Sequence, residues 1–134
     1  MNDSTQQFFS YFDHTSDLGI EVIGDSLPDL FANSATALFS QIVDIKTIRE
    51  IKSYKFKLKN DDLELLLRDW LGELLTFYFL KNVLLKSFKI SGMTKNSINA
   101  IALGEKCTGE RHTIIREIKS VTYHQLSVKD YQLN

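Results

Sequence analysis

Between Leu63 and Leu80 apolar side chains crowd every turn of a helix, yet Glu64, Arg68, Asp69 and Glu73 interrupt the run. Four charges are too many for a membrane span. The apolar face, Leu63, Leu66, Leu67, Trp70, Leu71, Leu74, Leu75, Phe77 and Tyr78, is too wide for a helix lying on a surface. Such a helix needs a sheet to cover. It is expected to begin after Asn60-Asp61, with Asp61 and Asp62 placed favourably at the positive end of the helix dipole.

An earlier helix is expected from Ser26, whose hydroxyl can cap the following amides, with Pro28 and Asp29 in the first turn. Leu27, Leu30, Phe31, Ala35, Leu38, Phe39 and Ile42 then recur at helical spacing and predict one buried stripe. Elsewhere the pattern alternates with period two: Leu18, Ile20, Val22; Tyr54, Phe56, Leu58; Phe88, Ile90; Ile98, Ala100, Ala102; and Ile118, Ser120, Thr122. Turns are expected at Gly24-Asp25, around Gly92 and at Gly104. Together these predict an α+β two-layer sandwich, both helices on one face of a mixed sheet of about seven strands.

The 134 residues fit a single domain, with no linker, repeat or low-complexity stretch. Sixteen basic and 17 acidic residues give a formal charge of −1, which argues against holding nucleic acid through its phosphates. Lys55, Lys57 and Lys59 alternate with apolar residues and read, with Lys52, as the solvated side of a strand. Cys107 is the only cysteine, so neither an intramolecular disulfide nor a cysteine zinc site is possible. The first seven residues carry no basic segment followed by an apolar run, and a reducing, cytoplasmic setting is expected.

The chemistry-bearing residues fall in two groups. Asp13-His14-Thr15-Ser16-Asp17-Leu18-Gly19 gathers two carboxylates, an imidazole and two hydroxyls before a strand. Oxygen ligands of this kind suit Ca²⁺ or Mg²⁺, although Asp and Ser also favour turns through their own backbone. The second group is Gly104-Glu105, Arg111-His112 and the run from Glu117 to His124, in which Glu105 and Lys119 read as an ordinary surface pair. His14, His112 and His124 have no zinc-site spacing, and no nucleophile triad or phosphate-cradling glycine loop is present.

These blocks resemble the archease family. His14-Thr15-Ser16-Asp17-Leu18-Gly19 is similar to its His-Thr-Ala-Asp signature, with Ser16 in place of Ala, and Gly24-Asp25-Ser26-Leu27 is similar to the approach to its first helix. Asp62 to Leu66 and Asp69 to Leu75 resemble the second helix, while Gly104-Glu105, Arg111-His112 and Glu117 to His124 resemble the third block. The resemblance implies a metal held by Asp17, and a non-enzymatic protein that activates an RtcB-type RNA ligase in tRNA splicing. The resemblance further implies that such a protein promotes guanylylation of that ligase and its multiple turnover. Asp13, His14, Glu105, His112, Lys119 and His124 are then expected to line the site or contact the ligase. The Asp that closes the family's last strand, supplying a second metal carboxylate, has no match in Tyr131-Gln132-Leu133-Asn134. Ca²⁺ or Mg²⁺ is therefore expected to bind weakly or not at all. A chaperone-like module for RNA-processing proteins and a metal-dependent hydrolase using Asp17 and His14 are the competing expectations.

Overall fold

A computed structural model describes residues 9–13 and 18–118, with side chains from residue 22 onward. Strands β1 (Phe9–Asp13) and β2 (Leu18–Val22) form an antiparallel hairpin in which Asp13 pairs with Leu18. Helix α1 (Leu27–Ile42) follows, then a single 3₁₀ turn (Ile45–Thr47), β3 (Lys52–Lys59), α2 (Leu63–Lys81), β4 (Val83–Met93) and β5 (Ser97–Lys106).

Ser26 starts α1 as its sequence predicts: its hydroxyl accepts from the Asp29 amide at 3.3 Å, and Pro28 lies in the first turn, where no amide is missed. At Gly24 a Cβ would lie 2.5 Å from the Leu30 amide nitrogen, so only glycine lets the hairpin run this close to the helix. Helix α2 is capped by Asp62, which accepts from Leu65 N at 3.0 Å. It ends at Asn82, in the left-handed conformation with φ of 56°. Asn82 alone separates α2 from β4. Its amide donates to Tyr78 O at 2.8 Å, and its carbonyl accepts from Cys107 N at 2.8 Å, which ties the helix end to the end of β5.

The larger sheet has the order β3-β5-β4, with β5 antiparallel to both neighbours. Among the described residues this makes a three-stranded antiparallel sheet plus a separate two-stranded hairpin, and corrects the expectation of a mixed sheet of about seven strands. The antiparallel order follows from the short link after β4, too short for a parallel crossover. The alternating patches over Phe88–Ile90 and Ile98–Ala102 belong to strands of 11 and 10 residues. A short link, residues 94–96, returns β5 antiparallel beside β4 and into the slot between β4 and β3. Gly92 is therefore not the turn; it lies beside a register shift within β4. Ile118 is in no strand, and residues 119–123 of the expected late strand lie outside the described residues.

The inner face of the sheet carries Tyr54, Phe56 and Leu58 opposite Ala102, Ala100 and Ile98, with Phe88 and Ile90 on the far side. Both helices cover it. Trp70 of α2 is fully buried, packs edge-on against Phe56 and Phe88 at 6.0 and 6.3 Å, and donates its indole N–H to Phe31 O of α1 at 2.9 Å. No helix among the described residues is long and apolar enough to cross a membrane.

The one-residue link at Asn82 generates a prediction. Asn82→Val places a β-branched side chain at positive φ and should cost about 2 kcal/mol of stability, whereas Asn82→Gly should cost less than about 1 kcal/mol. Urea unfolding of both variants checks this; a Val variant as stable as the parent would contradict the account.

Candidate functional site

Of the two carboxylates in the first polar group, only Asp13 falls within the described residues. Asp13 closes β1 and pairs across to Leu18, while His14, Thr15, Ser16 and Asp17 join the two strands and lie outside the described residues, as do Lys119 and His124. What the structure does bring together is Glu105 and His112, with Arg111 between them.

Glu105 follows Gly104 at the end of β5, and Gly104 lies flat against β4: a Cβ there would run into the Leu84 carbonyl. Glu105 is 8% exposed, and three donors converge on its Oε2: the Arg49 amide at 2.8 Å, Arg111 Nη1 at 2.5 Å and His112 Nε2 at 2.9 Å. Arg111 reaches on with Nη2 to Thr47 O at 2.7 Å. The ring of His112 is buried, and its Nδ1 accepts from the Thr108 amide at 3.0 Å. The ring proton is thereby assigned to Nε2, where it donates to Glu105. With that tautomer the 3.2 Å approach of Arg111 Nη1 to His112 Nε2 is two donors sharing one acceptor, not a hydrogen bond between them.

Burial alone pushes the Glu105 carboxyl up. The Arg49 amide, the two side-chain donors and the Arg111 charge outweigh it and bring the group down to about 2. The cluster is a latch. It fastens the loop after α1, the end of β5 and the 108–112 turn to one oxygen, and from there the chain runs back along α1. Val43 bridges to Ile114, Ile115 N donates to Ile42 O at 2.7 Å, and Arg116 meets the buried Gln41 at 2.5 Å. The chain is thus fixed against α1 as far as Arg116.

This donor set does not fit a metal ion. Glu105 Oε2 and His112 Nδ1 are already committed as acceptors, and a guanidinium sits where a cation would approach. Among the described residues no three His, Cys, Asp or Glu side chains are arranged to hold one. Cys107 offers no nucleophile either: burial first, and then the Glu117 carboxylate, push its thiol up and keep it protonated. Sequence reasoning treats Glu105 as a surface charge. The signal pointing inward is Arg111-His112, set six and seven residues later beyond the Thr108-Gly109 turn.

Glu105→Gln should therefore lower folding stability by about 2–3 kcal/mol, since it leaves Arg111 and His112 facing a neutral acceptor. The pH dependence has a definite sign. With its carboxyl near 2 in the fold and 4.5 ordinarily, Glu105 stabilises fully above about pH 4.5 and loses that contribution as pH falls toward 2. Melting curves between those limits should fall less steeply for Glu105→Gln; parallel curves would contradict the assignment.

Comparison with known proteins finds relatives of the chain as a whole. A family model described as the archease protein family matches residues 9–133. A protein archease of Methanosarcina barkeri is 36% identical over 124 residues, covering 90% of this chain and 85% of the relative. One of Pyrococcus abyssi is 33% identical over 124 residues, covering 90% and 87%. The solution structure of Methanobacterium thermoautotrophicum protein 1598 superposes with a TM-score of 0.72 at 28% identity, covering 91% of this chain and 89% of that one.

Proposed function

This chain belongs to the archease family, and on that premise we propose that it acts without enzymatic activity of its own, as a cytoplasmic activator of an RtcB-type RNA ligase in tRNA splicing. The observation that carries the reading is the family match across 9–133, which includes the His14-Thr15-Ser16-Asp17 signature. The hairpin supports it. Asp13 and Leu18 are paired, so the signature is flanked at both ends by strand, and the link after β2 is bonded to α1 by Asn33 Nδ2, which donates to Ile23 O at 2.9 Å. Such anchoring suits a segment whose task is to present polar groups to another protein's active site.

In this reading Asp17 holds a hard divalent cation, Ca²⁺ or Mg²⁺, whose preference is for carboxylate oxygen. Bound there, the ion would supply positive charge where phosphate charge accumulates. Asp13, His14, Lys119 and His124 are the polar residues assigned to the ligase contact. Glu105 and His112 contribute at one remove, by fixing the chain ahead of the segment that carries Lys119 and His124. The activator lowers the barrier to nucleotidyl transfer by aligning the ligase nucleophile with the nucleotide, an effect of positioning and charge rather than covalent chemistry. The 108–112 turn and the latch use their polar groups internally.

Asp17→Ala should lower the rate of ligase guanylylation at least about tenfold while leaving the melting temperature within about 2 °C, because removing one transition-state alignment costs at least about 1.4 kcal/mol. Normal activation with a steep loss of stability would make Asp17 a turn residue. Metal-dependent hydrolysis of RNA or a nucleoside triphosphate by the isolated protein, abolished in Asp17→Ala, would replace this reading with a hydrolase.

A further inference from the structure

The sheet has a second face, turned away from both helices. Its side chains follow from the register. Lys55 of β3 and Lys89 of β4 flank Ile101 of β5, Lys57 lies opposite Asn99, and Lys59 lies opposite Ser97. All four lysines are exposed, and Ile101 and Leu103 along the middle strand are half-buried. The ion pairs of the described residues involve Arg68, Arg111 and His112, and none involves a lysine of this face. The nearest acid by register is Glu50, which lies beyond the Leu103 row and is bonded to Ser87. A shallow, open depression of about 350 Å³ lies over this part of the sheet, lined by Lys55, Lys57, Ser91, Asn99 and Ile101 together with Phe56 and Ala100 of the strands beneath.

Three of the four ammonium groups follow one another along β3 and the fourth lies two strands away, a concentration of positive charge that no described acid neutralises. An occupant with carboxylates would. We propose that this face docks a carboxylate-rich patch of the ligase, as a second contact surface apart from the hairpin signature; the inference rests on the ligase reading above. A carboxylate side chain entering the depression would meet the Lys55 and Lys57 ammoniums, the Ser91 hydroxyl and the Asn99 amide. The apolar strip of Ile101 and Leu103 would supply the dry centre that charged rims surround in protein interfaces.

Protein rather than RNA is the favoured occupant for three reasons. The chain as a whole carries no basic excess. The face offers lysine and no arginine for bidentate phosphate contacts. Its aromatic residues Tyr54, Phe56 and Phe88 all point to the opposite face, so no base can stack there. Contacts of this type chiefly accelerate association and set orientation.

The test uses the full chain with Lys55, Lys57 and Lys89 changed together, to Gln in one variant and to Glu in another. Circular dichroism confirms the fold, and the Gln variant decides the matter if the Glu variant misfolds. Calorimetric titration into a purified RtcB-type ligase should show parent affinity falling at least about tenfold between low and physiological salt. The Gln variant should bind at least about tenfold more weakly at low salt, with little further salt dependence. Asp17→Ala, by contrast, should keep its salt-dependent binding while failing to activate. Parent-like binding by the lysine variants would overturn this inference and leave the ligase reading intact. No binding by the parent itself would overturn the ligase reading and this inference with it. Salt-dependent binding of a labelled single-stranded RNA that the Gln variant loses would make the face a nucleic-acid surface and overturn the protein assignment.

Discussion

The fold depends on Trp70. Its ring fills the space between the two helices and the sheet, meeting Phe56 and Phe88 edge-on, and its indole N–H reaches the Phe31 carbonyl of α1. A buried indole without that acceptor would lose the value of a hydrogen bond, about 1–3 kcal/mol, so the ring fixes the helix positions as well as the sheet distance. Phe39 extends the aromatic layer, packing on Phe88 and Tyr78, and Phe77 extends it toward Tyr54 and Phe56. Everything proposed for function hangs from this layer. The link after β2 is bonded to α1, the latch closes the chain back onto the end of α1, and the lysine face is the reverse side of the same sheet.

The latch and the lysine face solve different problems. At the latch a charged carboxylate is buried, which is tolerable only because three donors meet it. Its groups are consumed by structure. The lysine face is the reverse: charge is left without partners and exposed, where it costs little in isolation and becomes useful when an acidic surface arrives. An activator that works by contact needs both kinds of region, rigid joints and unsatisfied surfaces, and it has no need of a deep pocket. The Cys107 thiol, held protonated, and His112, locked by Thr108, belong with the rigid joints.

Much of this was legible in residue order. Ser26 caps α1 and its stripe is buried from Leu27 to Ile42 as helical spacing requires. The face of α2 is buried at Leu66, Leu67, Trp70, Leu74, Leu75 and Tyr78, although Phe77 is half-buried and its neighbours Phe79 and Leu80 are exposed. Strand number was less legible, because alternation identifies which residues face inward without saying how far a strand runs or which strand lies beside it. Insertion of β5 between β3 and β4 is a tertiary fact that no local pattern encodes. The burial of Glu105 was hidden for a similar reason: flanked by Gly104 and Lys106 it reads as surface, and its partners come from Arg49 and the turn at 108–112. The signature at 14–17 could be recognised only by resemblance, since a carboxylate, an imidazole and two hydroxyls in succession fit either a cation site or a simple turn.

The central claim is that this protein sustains an RNA ligase by contact, and multiple turnover is where such help is most visible. RNA joining by a purified RtcB-type ligase, with RNA ends in excess over enzyme, measures it directly. With this protein present the account predicts many ligated products per ligase molecule, and without it a halt near one. Equal product with and without it, at every ratio of protein to ligase, would contradict the account.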